Sequence, residues 1–383
     1  SFKSGTKVFD WSIPDEWNIY DAYIEHKSGE RFAEFSKNNL HILGYSVPCN
    51  INLPLAELLP HIYTQKNQPD VIPYVTSYYN NIWGFCMSDD DKKSMPDGEY
   101  NVVIDAKRGP GSLEIADLVI EGVSSKEIFF STYVCHPSMA NNELSGPVLS
   151  TALIQYIKLK YKNPKYTYRF VFAPETIGAI AYLSNNIESL QDKVICGFNL
   201  SCVGDERAYS HVESRTGNTL ADSALQSALI GLDNVTTYSF LERGSDERQY
   251  CSPGVDLPFC GFCRTKYGEY PEYHTSADNF DVVTADGLNG SFNVMKTIID
   301  AFEVNLFPKI NVKCEPQLGK RGLRPNISQK GYMGDITTRS NFIAYADGEH
   351  SLFDIANLIN KNLKFVIEEV VILTKHRLIE DKE

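Results

Sequence analysis

The sequence between about residues 125 and 303 alternates short apolar runs with amphipathic stretches. Residues 145–157 and 285–303 carry apolar side chains at helical spacing, and Ser145 and Pro147 mark the start of the first helix. Strands are predicted for the apolar runs at residues 128–134, 168–173, 194–200 and 256–262. This alternation predicts an α/β domain, a sheet covered by helices, which we place at residues 124–310.

A different pattern occupies the first part of the chain. Residues 22–35 and 100–121 each contain two alternating runs around a turn with glycine, which predicts two β-hairpins. Only residues 54–63 suggest a helix. We therefore predict a β-rich accessory domain at residues 1–123, either placed beside the α/β domain or inserted into it.

The end of the chain contains two helical patterns, at residues 351–360 and 364–378, joined by a short turn. Successive short helices are typical of a winged helix-turn-helix, which we predict at residues 311–383. The chain has 36 basic and 49 acidic residues and a formal charge of -13, which opposes binding to nucleic acid. We expect this domain to contact a protein partner or a second copy of the chain in preference to DNA.

Composition favours a protein without membrane contacts. No apolar run approaches the ~20 residues that span a bilayer, and the first residues lack the pattern of a signal peptide. Nine cysteines, an odd number in a long chain, do not resemble a disulfide framework, so we expect reduced cysteines and a cytoplasmic location. The pair Cys260 and Cys263 lies in a predicted apolar strand, which favours structural thiols over a redox pair.

Polar residues follow the predicted strands at three places, as His136, Glu175 and Asp205. Ligands of open α/β sheets bind at the carboxyl ends of strands. A histidine after one strand is often only a hydrogen-bonded structural residue, but a later polar segment adds Tyr273 and His274. Histidines and carboxylates that converge at strand ends predict a zinc site with a position open for water.

The segment SDERQY, residues 245–250, adds two charged candidates. Asp246 and Arg248 are predicted to reach the cleft, where an arginine can hold a carboxylate of a small-molecule or peptide substrate. A surface ion pair is the alternative interpretation of the same residues.

Five segments resemble, in the same order, motifs of the co-catalytic zinc aminopeptidases. HPSMANNELSG (136–146) is similar to their His…Asn-Asp-Asn-Ala-Ser-Gly segment, and YHTSADNFD (273–281) to their Tyr-His-Thr-x-x-Asp-x-x-Asp. The other three are PETIG (174–178), similar to Glu-Glu-x-Gly, FNLSCVG (198–204), similar to Asn-Leu-Asp-Met-x-Gly, and GSDERQY (244–250), similar to Gly-Ser-Asp-His-x-x-Phe. The whole chain resembles a bacterial group with this domain, a β-rich accessory domain and a C-terminal winged helix, often linked with polysaccharide biosynthesis.

The resemblance implies a fold and a set of roles. The fold would be an aminopeptidase-like mixed sheet flanked by helices. His136 and His274 would each bind zinc, Glu175 would be the general base, and Tyr273 would support the developing oxyanion.

Three positions depart from the family pattern. The bridging aspartate, the second glutamate and the aspartate of the next strand correspond to Asn142, Thr176 and Ser201. The loss of these negative charges favours one zinc ion over two. The expected ligands are His136, His274 and a carboxylate from Glu175 or Asp205, with Asn142 as a weak oxygen ligand or a substrate contact.

Two functional hypotheses follow from these motifs. The first is a zinc-dependent hydrolase that cleaves an amide bond in a peptide or in an acylamino sugar derivative. The second is a binding module that has kept the cleft and lost catalysis, and that acts through contacts with a partner or ligand. The motif series supports the first, and Asn142, Thr176 and Ser201 support the second.

Overall fold

The computed structural model describes residues 1–324 and 334–380. Residues 325–333 and 381–383 of the predicted winged helix-turn-helix lie outside the described residues. The described chain has the predicted α/β fold, with a central mixed sheet flanked by helices, a β-rich part before it and a helical part after it. Within these residues, no helix is both long and apolar enough to cross a membrane.

The β-rich part contains a four-stranded antiparallel sheet with the order β5-β4-β9-β6. The elements of this part are β1 (Phe2–Lys3), β2 (Lys7–Val8), β3 (Trp11–Ser12), β4 (Glu16–His26), β5 (Arg31–Phe32), β6 (Cys49–Pro54), α1 (Leu55–Leu58), β7 (Ile62–Tyr63), β8 (Phe85–Cys86), α2 (Asp89–Ser94), β9 (Glu99–Gly109) and β10 (Ser112–Leu113). The predicted hairpin at residues 22–35 is confirmed, since β4 pairs with β5 across a short turn. Ile24, Phe85 and Tyr100 are fully buried in the core of this sheet.

The second predicted hairpin, at residues 100–121, is wrong. Strand β9 pairs with β4 and β6, whereas β10 pairs with β1, and residues 116–120 leave for another sheet. An alternating pattern fits any antiparallel neighbour equally well. Here the neighbours come from distant parts of the chain.

The central sheet has seven strands with the order β11-β13-β12-β14-β17-β15-β16. These strands are β11 (Ala116–Ile120), β12 (Ser124–Tyr133), β13 (Tyr166–Ala173), β14 (Val194–Leu200), β15 (Tyr209–Val212), β16 (Val235–Tyr238) and β17 (Phe259–Cys263). The helices between them are α3 (Ser145–Lys160), α4 (Ile177–Lys193), α5 (Leu220–Leu229), α6 (Glu247–Tyr250) and α7 (Ala285–Glu303). Strands β13, β12, β14 and β17 run parallel, so their carboxyl ends meet at one edge.

Neighbouring residues of β12 serve opposite faces of this sheet. Phe130 stacks on Phe170 and joins the core that includes residues of α3, α5 and α7. Phe129 points to the other core, where it contacts Tyr182 of α4 and Tyr250 of α6. Helices cover both faces, which explains why these strands read as continuous apolar runs.

The helical part contains α8 (Gly334–Tyr345), α9 (Leu352–Leu358) and α10 (Leu363–Lys375). Its core is continuous with that of the central sheet, because Phe302 of α7 packs on Phe353 of α9 at 5.1 Å between ring centroids. Polar contacts reinforce this junction, since Ser223 Oγ donates to Asp354 Oδ1 at 2.8 Å. The helical part is therefore packed on α5 and α7.

The predicted domain boundaries stay predictions. Strand β11 lies within the range predicted for the accessory domain, yet it pairs with β13 of the central sheet. At the N-terminus, Val8 and Ile13 pack on Ile177 and Ile180 of α4. Both ends of the β-rich segment thus lie against the central domain.

Candidate metal and active site

The carboxyl ends of β12 and β13 deliver the first two predicted site residues. His136 follows β12 and Glu175 follows β13, and His136 Nε2 lies 3.8 Å from Glu175 Oε2. The two side chains meet because their strands are parallel neighbours in register. The two strand ends therefore bring these side chains together, as the sequence pattern predicts.

His274 completes a pair of histidines. Its ring lies 5.1 Å from that of His136, measured between centroids, and it stacks on Tyr273 at 3.9 Å. Its backbone has φ of +56°, in the left-handed region that few residues other than glycine adopt. Burial, and then the nearby His136, lower the pKa of His274 to about 3. The imidazole is therefore neutral at pH 7, the form that binds a metal ion.

A π-helical turn at residues 140–144 sets the position of Asn142. Asp278 fixes this turn, because its carboxylate accepts hydrogen bonds from the backbone N–H groups of Asn141 (2.6 Å) and Asn142 (2.9 Å). Gly146 follows at the start of α3, where a Cβ atom would lie only 2.4 Å from the carbonyl oxygen of Leu200. The Ser-Gly pair of the motif thus allows the helix to approach the sheet closely.

Glu143 is a site residue that the sequence reasoning missed. Its Oε2 lies 3.2 Å from His136 Nδ1, and its Oε1 accepts the backbone N–H of Cys135. A carboxylate on one ring nitrogen orients the imidazole and leaves the other nitrogen for a ligand. A buried acid beside Asn142 was the available signal, but its direction depends on the π-helical turn.

The donor set fits a metal cation. Across residues 1–324 and 334–380, the buried Oδ1 of Asn142 and Nε2 of His274 have no hydrogen-bond partner. Buried polar atoms normally have partners, so this open oxygen and this open nitrogen suit coordination. Asn142 cannot easily turn away, because its Nδ2 donates to the Tyr133 hydroxyl at 2.5 Å.

Glu175 has the environment of a general base. Burial raises its pKa, while His136 and Arg248 oppose that rise. A carboxylate with a raised pKa takes a proton more readily than an exposed one. Sequence reasoning left open whether Glu175 is a base or a ligand, and its 3.8 Å distance to His136 Nε2 is compatible with either role.

Asp246 and Arg248 lie behind Thr176, the residue that follows Glu175. Thr176 has φ of +63° and ψ of −76°, a strained conformation for a β-branched residue. Its backbone N–H donates to Asp246 Oδ1 at 2.7 Å, and its hydroxyl accepts from Arg248 Nη2 at 2.5 Å. Both residues hold the backbone next to Glu175, and the substrate contacts predicted for them stay a prediction.

We predicted Asp205 as a metal ligand, but its carboxylate instead accepts hydrogen bonds that join two loops. Its Oδ1 accepts hydrogen bonds from Arg207 N and Thr265 Oγ1, and its Oδ2 accepts from Thr265 N and Asn141 Nδ2, at 2.7–3.1 Å. The side chain is buried. With four donors on two oxygens, Asp205 joins the loops after β14 and β17 and has little capacity left for a metal ion.

The β-rich part forms one side of the site, which sequence reasoning did not foresee. The Tyr74 ring lies 5.2 Å from that of His136 and 5.1 Å from that of His274. Its backbone N–H donates to the His274 carbonyl at 2.8 Å, and Ile72 and Ser276 exchange further hydrogen bonds. No local pattern could link Tyr74 to a histidine 200 residues later.

Comparison with known proteins gives the family. The model described as "Domain of unknown function (DUF4910)" matches residues 1–305. The chain belongs to this family. A winged helix-turn-helix model matches residues 306–381, so a DUF4910 domain is followed by a winged helix.

A relative from Clostridium acetobutylicum is 41% identical over 358 residues. Its name describes a polysaccharide biosynthesis protein with an aminopeptidase-like domain. The match covers 92% of this chain and 81% of the relative. A crystal structure from the same species, of a protein classed by name as a peptidase, has 38% identity and a TM-score of 0.89 over 99% of this chain and 86% of that one. The family resemblance inferred from the motifs is confirmed.

The fold of the DUF4910 domain also occurs in zinc aminopeptidases. The structure of one such enzyme from Bacillus subtilis aligns with a TM-score of 0.55 and 15% identity, over 76% of this chain and 82% of that one. At this identity the likeness concerns the fold, and it confirms the aminopeptidase-like architecture.

Proposed function

We propose that the DUF4910 domain is a metal-dependent hydrolase of an amide bond, with one zinc ion as its cofactor. The observation that carries this proposal is the pair of His136 and His274 beside Glu175. Within the described residues, His274 and Asn142 each have a buried donor atom without a hydrogen bond, and the Asn142 amide bonds to Tyr133, whose ring lies 5.4 Å from that of His136. The substrate would be a peptide or an acylamino sugar derivative. The name of the C. acetobutylicum relative adds support for the sugar derivative.

His136 Nε2, His274 Nε2 and Asn142 Oδ1 are the atoms that would hold the ion. Bound there, zinc would supply a Lewis acid for the amide carbonyl and would make the attacking water more acidic. One ion suits this site better than two, because Asn142, Thr176 and Ser201 are uncharged. Glu143 holds the imidazole of His136 in place from the opposite side.

The chain's own residues then handle the proton and the oxyanion. Glu175 accepts a proton from the attacking water and passes it to the departing nitrogen. Burial raises the pKa of Tyr273, so its hydroxyl keeps its proton at neutral pH and can donate a hydrogen bond to the oxyanion. Asp246 and Arg248 position Glu175 through Thr176.

The test combines metal content with hydrolysis. Zinc is measured by mass spectrometry on protein purified without chelator, and amide hydrolysis is assayed on a panel of peptides and N-acyl amino sugars. We expect about one zinc per chain, lost when His136→Ala and His274→Ala are combined. Glu175→Gln should keep the zinc and lower the hydrolysis rate by about 10²–10⁴-fold, the usual contribution of a general base.

His350→Ala is the matched control, because His350 pairs with Asp347 on the surface of the C-terminal part. It should leave zinc content and hydrolysis unchanged. A zinc-loaded protein that cleaves none of the amides would contradict the proposal and favour a binding module. Wild-type rates in Glu175→Gln would remove Glu175 from the mechanism.

A further inference from the structure

The DUF4910 domain has a group of tyrosines at the edge of the site. We call Tyr45, Tyr74, Tyr78 and Tyr79 the tyrosine wall. Tyr45 and Tyr79 pack edge to face at 5.0 Å between centroids, and Trp17 stacks on Tyr45 at 5.8 Å. Tyr74 belongs to the same loop as Tyr78 and Tyr79 and contacts both histidine rings, so one end of this loop lies in the site.

Two paired loops hold the wall rigidly. Gly44 N donates to the Val75 carbonyl at 3.0 Å, and Ser77 N donates to the Gly44 carbonyl at 3.0 Å. Arg108 Nη1 donates to the Tyr79 carbonyl at 3.2 Å. A surface fixed by backbone pairing binds a ligand with little loss of conformational entropy.

The backbone of the wall is strained. Tyr45, Tyr78 and Tyr79 have φ of +65°, +45° and +73°, in the left-handed region that is unfavourable for aromatic residues. Such strain concentrates at active sites and ligand clamps. The strained backbone is an observation independent of the ring contacts, and it indicates a functional role for these side chains.

Tyr78 is the member of the wall that is open to solvent. Its exposed fraction is 78%, which is high for a large aromatic side chain. Tyr78 follows Tyr74 by four residues in the same loop, at a turn closed by the hydrogen bond from Asn80 N to the Ser77 carbonyl at 3.1 Å. The exposed residues Asn80 and Asn81 follow it in the chain. Asn80 Nδ2 donates to the Ser77 carbonyl and Asn81 Oδ1 accepts from Arg108 Nη1, so Asn80 Oδ1 and Asn81 Nδ2 are the amide atoms available to a ligand.

The charges near the histidines favour a neutral group at the reaction centre. Glu143 already contacts His136, and Glu175 lies near His136 and Arg248. The ammonium group of a peptide needs an acidic partner that is not already engaged. The uncharged acyl group of an N-acylated amine needs none.

We propose that the tyrosine wall binds the ring of an N-acylated amino sugar and presents its acylamino group to the histidine pair. This inference rests on the proposed amide hydrolysis and selects one of its two substrate classes. The apolar face of the sugar ring lies on Tyr78, while neighbouring amides bond its hydroxyl groups. Water adds its oxygen to the acyl carbon, the C–N bond breaks, and the nitrogen leaves as an amine with a proton from that water.

The test measures binding of N,N′-diacetylchitobiose, and of alanylalanine for comparison, by titration calorimetry. The full chain is loaded with zinc and carries Glu175→Gln, so that the ligand stays intact. We expect the sugar to bind and Tyr78→Ala to weaken its binding about tenfold, the loss that corresponds to one aromatic contact. Tyr78→Phe should stay within about threefold, because it keeps the ring.

Tyr20→Ala is the control, since Tyr20 is 63% exposed on strand β4 and is not a member of the tyrosine wall. Equal weakening by Tyr20→Ala, stronger binding of alanylalanine, or no binding of the sugar would overturn the inference. Failure of the hydrolase proposal gives a different result. In that case the wild-type chain would cleave no amide, while sugar binding would still depend on Tyr78.

Discussion

Glu143 contacts the first histidine of the site without facing its open ring nitrogen. The 3.2 Å contact from its Oε2 to His136 Nδ1 selects the tautomer that leaves Nε2 without a proton. Such outer carboxylates raise the basicity of the imidazole and restrict its rotation. In the proposed metal site, Glu143 would therefore link the π-helical turn to the affinity for the ion.

Glu143→Gln should weaken zinc binding by about 10–100-fold, the range for loss of an outer carboxylate. Glutamine keeps an acceptor for Cys135 N but removes the negative charge beside His136. Competition with a chromogenic chelator measures the affinity. Glu57→Gln on exposed helix α1 is the control, and equal affinities for the two variants would show that Glu143 serves only the fold.

Asp246 acts as a hydrogen-bond acceptor more than as a charge. Burial and the neighbouring Glu175 raise the pKa of Asp246 well above its ordinary range, which favours its neutral form. Asp246→Asn keeps an oxygen for the Thr176 N–H, so its free energy of unfolding should stay close to that of the wild type. Asp246→Ala leaves this N–H unpaired and should lose about 1–3 kcal/mol, measured by urea unfolding. Equal losses in both variants would mean that charge matters.

At the scale of an element, helix α5 depends on its first turn. Thr219 and Asp222 form a capping box there, and Asp222 also accepts from Ser214 and lies 3.0 Å from His211. Burial alone would raise the pKa of Asp222, but the hydrogen bonds from His211, Ser214 and Thr219 prevail and lower it to about 2. The helix therefore depends on the ionised carboxylate.

This shift predicts a loss of stability in acid. The pKa of Asp222 is lower in the folded state than in the unfolded chain, so its stabilisation is complete above about pH 4 and disappears as the pH falls towards 2. The contribution is roughly 2 kcal/mol. Urea unfolding at pH 5 and pH 3 should show a smaller difference in Asp222→Asn than in the wild type. An unchanged difference would assign the acid sensitivity to other groups.

Elements with a local cause could be predicted from the sequence, and those with a distant partner could not. Helix α7 was predicted at its observed bounds, Ala285–Glu303, because its apolar periodicity lies within the segment itself. The hairpin at residues 100–121 failed because the partners of these residues are β1, β4, β6 and β13. The strand-end histidine and glutamate were found for the first reason, and Tyr74 was missed for the second. Glu143 was missed although His136 is near in sequence, because a π-helical turn sets the direction of its side chain.

At the scale of the molecule, the winged helix is an integral part of the core. Phe302, Phe342 and Phe353 are fully buried in one cluster that also contains residues of the central sheet. A chain whose parts share a core in this way is expected to unfold cooperatively. Unfolding of the DUF4910 domain should therefore be accompanied by unfolding of the winged helix.

Phe353→Ala should lower the free energy of unfolding of the whole chain by about 3–5 kcal/mol, the usual cost of removing a buried phenyl ring. Calorimetry should show one transition that moves as a unit. Leu358→Ala on the same helix is the control, because Leu358 is 53% exposed. Two transitions, of which only one moves, would show that the two parts fold independently.

The hydrogen bond from Tyr74 N to the His274 carbonyl connects the β-rich part to the second histidine. During synthesis Tyr74 precedes His274 by 200 residues, so the accessory sheet emerges before the loop that it contacts. If the accessory sheet detached, His274 would lose its hydrogen bond to Tyr74, and the proposed metal site would bind an ion less tightly. Under the proposed function, metal binding would therefore require a correctly docked accessory sheet, and incompletely folded chains would not hydrolyse amides.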